Sequence, residues 1–416
     1  MAKVIIIDFM DSYAESIYPF QLASLALLLK KLKLNVFGLT VDQSNFNTFL
    51  KEVLEEKYST VCFRCTRFNG ELIKKFFVNL KGKLNANFIW FGNEKLYLKM
   101  SKNIDSEILF FENTFSEDFL KNIYRIYTKK NDCFNYVNNL LEYDRYLFSF
   151  KRYRGMVTKY SNYMQVLTSI GCNNYCAYCS DRMRFPKWKG RSLENVIGEI
   201  IGLKEKAGIK EIHIEDMNFF GGGLERVRKF CLLLKEKNLG VVWQCTGVVP
   251  LGEIKDLSVI DLMSDAGCYS LSIGIETFNR DLLQYVKRNQ SFDLLEAIVQ
   301  RCRKNGIEVV CHLMMGFPTQ TKKQILSDVK RACSLPFSFI HFNIFMALNS
   351  LCSSEKTKVP YSELKAIQRW SYARLIFKFS VIKFVFSRFL FNKRLDKIIV
   401  KCIKYFLQKD YVFSQT

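Results

Sequence analysis

Apolar positions change their spacing regularly along the chain, and those changes divide it into segments. In the first 130 residues, apolar runs of strand length alternate with stretches of helical period. Val4–Asp8, Asn35–Leu39, Thr60–Arg64, Phe88–Phe91 and Glu107–Phe111 read as strands, and Phe20–Leu32 and Glu71–Asn79 as helices. Strands separated by helices imply a parallel sheet, so residues 1–130 are expected to form a flavodoxin-like, doubly wound α/β domain. Residues 131–162 hold neither period and read as a linker. It contains the basic aromatic run Lys151-Arg152-Tyr153-Arg154, either a solvated charge run or a strap facing the substrate.

From residue 163 to about 350 the alternation is more regular. Strands are predicted at 164–170, 211–215, 241–245, 270–275, 308–314 and 339–345, with helices at 192–206, 224–237, 253–265, 291–305 and 321–333. Six strands and five intervening helices describe a partial (β/α)6 barrel, in which chemistry collects at the carboxyl ends of the strands. Residues 351–416 read as a basic helical extension, with Arg374, Lys378, Lys383 and Arg388 set among Phe, Ile and Val. Three of those charges share a helical face and Lys383 does not, which suits packing against the barrel as well as contact with lipid.

Composition narrows the setting. Of 416 residues 49% are hydrophobic and 15% aromatic, which excludes a disordered chain. The amino terminus carries one charge before a short apolar run, with no cleavage motif, and no run of about 18 apolar residues follows. Fourteen scattered cysteines in such a chain point to a reducing compartment and to free thiols or metal ligands. The expected location is cytoplasmic, with peripheral membrane association as an extension of that reading. A net charge of +22 suits a polyanion, such as an anionic membrane surface, an anionic substrate or, with less support, nucleic acid. General abundance of lysine accounts for the charge equally well.

The chemistry concentrates in Ser-Ile-Gly-Cys-Asn-Asn-Tyr-Cys-Ala-Tyr-Cys-Ser, residues 169–180, where Cys172, Cys176 and Cys179 have no fourth cysteine nearby. Three thiolates can each hold a different iron of a [4Fe-4S] cube and leave the fourth iron open. A structural zinc site wants four ligands, and the three histidines, His213, His312 and His341, lie well downstream. Packing cysteines would sit on an apolar face, whereas Gly171, Asn173, Asn174 and Ser180 make this a polar loop. Cys62 and Cys65 imitate a redox pair but fall in extended backbone, and they read as packing residues. His312, inside a strand, reads as a core histidine.

The Cys-x3-Cys-x2-Cys loop, following a β-like segment and preceding a helix, resembles the signature of the radical S-adenosylmethionine (radical SAM) enzymes. Residues 17–25, Ile-Tyr-Pro-Phe-Gln-Leu-Ala-Ser-Leu, are similar to the segment opening the cobalamin-binding-like domain of one radical SAM subfamily. The resemblance implies a [4Fe-4S] cluster on Cys172, Cys176 and Cys179, reductive cleavage of S-adenosylmethionine and hydrogen abstraction from an unactivated C–H position. It assigns cofactor contacts to Tyr178, to the acidic pair Glu215 and Asp216, to Glu276 of a Gly-x-Glu phrase followed by Val286-Lys287-Arg288, and to Gly316 of a Gly-Phe-Pro turn. It implies an external electron donor and a small-molecule substrate, and the basic aromatic tail and strap would suit a lipid-like one. Cobalamin, and with it methyl transfer, is a divided expectation. No histidine precedes residue 213, where that family's lower ligand would lie, so a retained but empty scaffold is slightly favoured over cobalamin held without histidine. Gly-Cys-Asn-Asn-x-Cys-x-Tyr-Cys and Lys-Gly-Arg-Ser also resemble methylthiotransferases of tRNA or protein, although the cysteines of a second cluster are missing. A non-catalytic iron-sulfur protein is the remaining alternative.

Overall fold

The structure is a computed structural model. It describes residues 3–9, 20–42, 44–56, 58–65, 70–80, 86–92, 108–111, 158–160, 162–179, 187–247, 257–288, 290, 292, 294–345, 357–376, 382–384 and 386. These fall into two compact units, one within residues 1–155 and one within 156–412.

The first unit contains β1 (Lys3–Phe9), α1 (Phe20–Lys31), β2 (Asn35–Val41), α2 (Phe46–Glu55), β3 (Thr60–Cys65), α3 (Gly70–Leu80), β4 (Asn87–Gly92) and β5 (Ile108–Phe111). Its sheet has the order β2-β1-β3-β4-β5 with every pair parallel, the flavodoxin-like arrangement. Helix α2 was absent from the predicted elements. Phe46, Phe49 and Val53 bury one face of it at helical spacing, and Asp42 starts it by accepting from the Ser44 and Asn45 amides at 2.8 and 3.2 Å. Phe9, Phe49, Phe63 and Phe76 meet in an aromatic cluster, edge-to-face at Phe9–Phe49 and Phe9–Phe63 and stacked at Phe49–Phe76, within the core of this unit. Cys62 is fully buried on β3, as expected of a packing residue. The loop after β1, residues 17–19, the Lys151–Arg154 run, Lys378 and Arg388 lie outside the described residues.

The second unit begins with β6 (Tyr163–Val166), then a small hairpin of β7 (Ser169–Ile170) and β8 (Lys189–Gly190), and α4 (Leu193–Ala207). It continues with β9 (Glu211–Ile214), a 3-10 turn (Phe219–Gly222), α5 (Leu224–Glu236), β10 (Val242–Gly247), α6 (Ser258–Asp265), β11 (Cys268–Glu276) and α7 (Arg280–Tyr285). The last elements are α8 (Leu295–Lys304), β12 (Glu308–Met315), α9 (Lys322–Ser334), β13 (Phe339–Ile344) and α10 (Tyr361–Ile376). The six long strands pair in the order β13-β12-β11-β10-β9-β6, all parallel, and β6 does not pair with β13. The sheet is therefore an open barrel with its strand ends on one rim.

One predicted strand is divided. The segment 164–170 breaks at Leu167, because residues beyond it turn away from the barrel to pair with β8. Helix starts carry their own signals: Ser192 and Thr321 accept from the third amide of α4 and α9, and Gln324 completes a capping box with Thr321. The carboxyl-terminal helix α10 packs on the barrel edge, where Gln368 donates to the Phe342 carbonyl at 2.5 Å and Phe342 N–H donates to the Tyr372 hydroxyl at 3.1 Å.

Candidate cofactor site

The cysteine loop leaves β7 at the barrel rim and is fastened at three places. At its base, Asp216 Oδ1 accepts from Thr168 N–H at 2.7 Å, and Oδ2 accepts from the Thr168 and Ser169 hydroxyls at 2.5 and 2.6 Å. Burial pushes the Asp216 carboxyl up, and these donors pull against that shift. On one flank, Asn173 donates to the Gly221 carbonyl at 2.8 Å, and Trp188, just before β8, donates to the Asn218 carbonyl at 3.2 Å. A side chain on Gly221 or Gly222 would run into the Trp188 ring, which explains the glycines of the 3-10 turn. Arg226 lies over the Trp188 ring and donates to the Arg191 carbonyl at 2.7 Å.

The third fastening is Arg288, which is 6% exposed. Its Nη1 donates to the Tyr178 hydroxyl at 2.8 Å and to Cys176 Sγ at 3.7 Å, Nη2 donates to the Gly274 carbonyl, and Nε donates to Gln290 at 2.6 Å. The same guanidinium lies 4.0 Å from Glu276. Glu276 hydrogen-bonds Tyr178, and burial pushes its carboxyl up while Arg288 pulls it down. The Tyr178 hydroxyl is held well above its ordinary value, first by burial and then by the Glu276 charge. Glu276 also has a backbone φ of +65°, at a bulge where β11 skips a residue against β12. That unusual conformation re-aims a strand-end side chain toward the cysteine loop.

The donor set around the loop suits thiolate ligands. Cys172 Sγ accepts from the Asn174 amide and side chain at 3.4 Å each, and Cys176 Sγ accepts from Arg288. Away from the loop, burial pushes the thiols of Cys231, Cys268, Cys302 and Cys311 up, and they stay protonated packing groups. Among the described residues, no three His, Cys, Asp or Glu side chains converge on one point as a mononuclear metal site requires. Thiolates that bind separate corners of a cube need no common point.

Residues 166–332 match the Radical SAM superfamily. This segment is a radical SAM domain. An uncharacterized methyltransferase of Pyrococcus horikoshii is 30% identical over 184 residues, a match covering 43% of this chain and 38% of that protein. The chain thus spans well under half the length of this relative. Two solved structures share the fold at low identity. The radical S-adenosylmethionine methyltransferase TsrM from Kitasatospora setae, with cobalamin and a [4Fe-4S] cluster bound, aligns with a TM-score of 0.64 and 15% identity over 85% of this chain and 77% of its own. The cobalamin-dependent S-adenosylmethionine radical enzyme OxsB aligns with a TM-score of 0.65 and 12% identity over 89% of this chain and 56% of its own.

Within the radical SAM domain the expected residues separate into groups. Cys176, Tyr178 and Glu276 are brought together by Arg288. The Tyr178 ring packs against Phe317 with centroids 5.6 Å apart, which adds the Gly316 turn to the same group. Gly316 has φ +85°, and the space that a side chain would fill is taken by Leu364 of α10, with its amide bound to Gln320 at 2.7 Å. Its missing side chain makes room for α10 at that turn. Asp216 differs from the expectation of a cofactor contact, since its oxygens already hold Thr168 and Ser169. Glu215 hydrogen-bonds Gln165 inside the barrel and is pushed up by burial. The link from Arg288 to the loop is not legible in local sequence, since 112 residues separate it from Cys176.

Proposed function

We propose that this chain is a radical SAM enzyme that cleaves S-adenosylmethionine reductively and acts on an unactivated C–H position, with cobalamin-dependent methyl transfer as its reaction class. The observation that carries the proposal is the buried set Cys176, Tyr178, Glu276 and Arg288 at the carboxyl end of the barrel. A scaffold that merely stored a cluster would have little use for a strained glutamate and a buried arginine beside one ligand. Cys172, Cys176 and Cys179 would hold the cluster, which when bound supplies the electron that breaks the sulfonium C–S bond. Asn174 and Arg288 direct N–H groups at the ligand sulfurs, Asp216 fixes the loop base, and Tyr178 with Phe317 walls off water. Glu276 is the residue best placed to accept a hydrogen bond from the cofactor's ribose or amino group.

Methyl transfer rests on the similar proteins, two named methyltransferases and two solved with cobalamin, and on the flavodoxin-like order of the first sheet. Ligands of such sheets sit at the topological switch point, here beyond the carboxyl ends of β1 and β3. A small-molecule substrate and an external electron donor complete the reading. Among the described residues no helix is long and apolar enough to cross a membrane.

Anaerobic reconstitution with iron, sulfide and cobalamin tests the proposal. On addition of a reductant and S-adenosylmethionine, 5'-deoxyadenosine is expected, together with S-adenosylhomocysteine if methyl transfer is right. A loaded cluster that yields no 5'-deoxyadenosine would overturn the catalytic assignment.

A further inference from the structure

Two turns of the barrel rim, one directly after Glu276 and one at Gly316, are fastened to a single buried carboxylate. Asp328 lies on α9 and is 3% exposed. Its Oδ2 accepts from the Thr277 hydroxyl at 2.6 Å and its Oδ1 from the Phe278 amide at 2.9 Å, so it holds the two residues that follow Glu276. Gln320 Nε2 donates to the same Oδ2 at 3.2 Å, while Gln320 Oε1 accepts from the Gly316 and Phe317 amides at 2.7 and 3.3 Å. Thr277 and Gln320 are fully buried. The linkage also reaches the cysteine loop. Thr277 Oγ1 accepts from Asn279 N–H at 3.1 Å, and Asn279 caps α7 through the Leu282 amide at 3.0 Å. Past the other end of α7, the Val286 carbonyl accepts from Ala177 N–H at 2.8 Å, and Phe317 packs with Leu282, Val286 and Tyr178.

We propose that Asp328 is a positioning residue that locks the Glu276 turn and the Gly316 turn into one unit and thereby sets the geometry with which the rim receives S-adenosylmethionine. The inference rests on the reading of this rim as the cofactor site and adds the residue that holds its two halves in register. Glu276 has a backbone φ of +65°, a conformation that persists only where neighbouring contacts over-determine it. Asp328 makes those contacts at the very next two residues. A buried carboxylate is a costly way to pack a helix on a sheet, and apolar contact would serve that purpose better. Burial pushes the Asp328 carboxyl up to about 6, and its three donors pull against the shift. Above that value both oxygens are acceptors only, which this junction requires. Gln320 cannot turn its amide to suit a donor, because the Gly316 and Phe317 amides already occupy its oxygen.

Hydrogen exchange of the full-length protein, read by mass spectrometry at about pH 8 where the carboxyl is ionised, tests the junction without any turnover. Asp328→Asn keeps the shape, but either orientation of the new carboxamide sets a donor against a donor. Exchange at residues 277–282 and 316–320 is expected to quicken about tenfold, with β9 unchanged as the internal reference. Combining Asp328→Asn with Gln320→Glu reverses donor and acceptor across the same contact, and protection at both turns is expected to return to within about twofold of the parent. In reconstituted protein, equilibrium dialysis with S-adenosylmethionine should show binding weakened about tenfold by Asp328→Asn and recovered in the paired variant. Unchanged exchange in Asp328→Asn, loosening of one turn alone, loosening that spreads to β9, or no recovery in the pair would overturn the proposal. Unaltered S-adenosylmethionine binding in a loosened Asp328→Asn variant would overturn it as well. Loss and recovery of protection in a chain whose parent form binds no S-adenosylmethionine would support the junction and sink the radical SAM reading.

Discussion

Arg288 joins more of the site than any other described residue, because one planar guanidinium reaches the proposed cluster ligand Cys176, an aromatic hydroxyl, a backbone carbonyl and a carboxylate. Its five fixed donors serve those partners at once, and a lysine cannot reproduce that fork. Arg288→Lys is expected to retain iron roughly 10–100-fold more weakly than the parent chain, the range for partners that orient metal ligands. Iron and sulfide content after desalting would check it, and unchanged retention would refute the role. Arg288→Ala should cost about 3–5 kcal/mol of stability as well, because Glu276 would be left buried beside an empty space. The stacked pair His312 and His341 sets a second residue-scale expectation. Both imidazoles have folded values depressed below the ordinary value of 6.5, so unfolded chains take up protons first as pH falls. Their contribution is complete above about pH 6.5 and is lost progressively toward about pH 4 and then 3. Urea unfolding at stepped pH values should show that decline, and the double variant His312→Phe with His341→Phe should flatten it.

At the scale of elements, the cysteine loop depends on contacts made by strands and turns that lie far away in sequence. Asp216→Asn replaces an acceptor with a donor opposite groups that are themselves donors, which leaves one of them unsatisfied at a cost of about 1–3 kcal/mol. Faster hydrogen exchange at residues 168–170 and reduced iron retention are expected. Asp261→Asn supplies the comparison, since it breaks a partly exposed contact with Arg301 worth about 0–1 kcal/mol and should leave the loop unaffected. This contrast also marks what sequence could disclose. Periodicity located all six barrel strands, because each alternates a helix-packed face with an inner one, and cysteine spacing announced the cluster loop. It could not tell an acid that binds a cofactor from one that fastens Thr168 and Ser169, since both roles place the same residue at a strand end. Nor could it separate β6 from β7. Both are extended, and only pairing with β8, some twenty residues later, divides them. Helix α2 had the right apolar spacing at Phe46, Phe49 and Val53, but its short polar lead-in resembled a loop.

For the whole molecule, the question is whether two units serve two cofactors. The first sheet has its switch point between β1 and β3 and the cysteine loop belongs to the second unit, so on the proposed reading cobalamin and the cluster would be loaded by different residues. Cys176→Ala removes a proposed cluster ligand and leaves every residue of the first unit unchanged. The variant is therefore expected to lose the broad iron-sulfur absorbance and still take up hydroxocobalamin, with the cobalamin bands retained through gel filtration at about one per chain. Loss of both signals would mean that cobalamin is held by the cluster loop or by a fold that fails without it. A circular-dichroism melt matching that of the parent would exclude the second explanation. If the parent itself carries no cobalamin through gel filtration, the first sheet is a scaffold without a ligand, as the absent upstream histidine slightly favoured. Methyl transfer then falls, while reductive cleavage of S-adenosylmethionine, which depends on the rim of the second unit, is expected to persist.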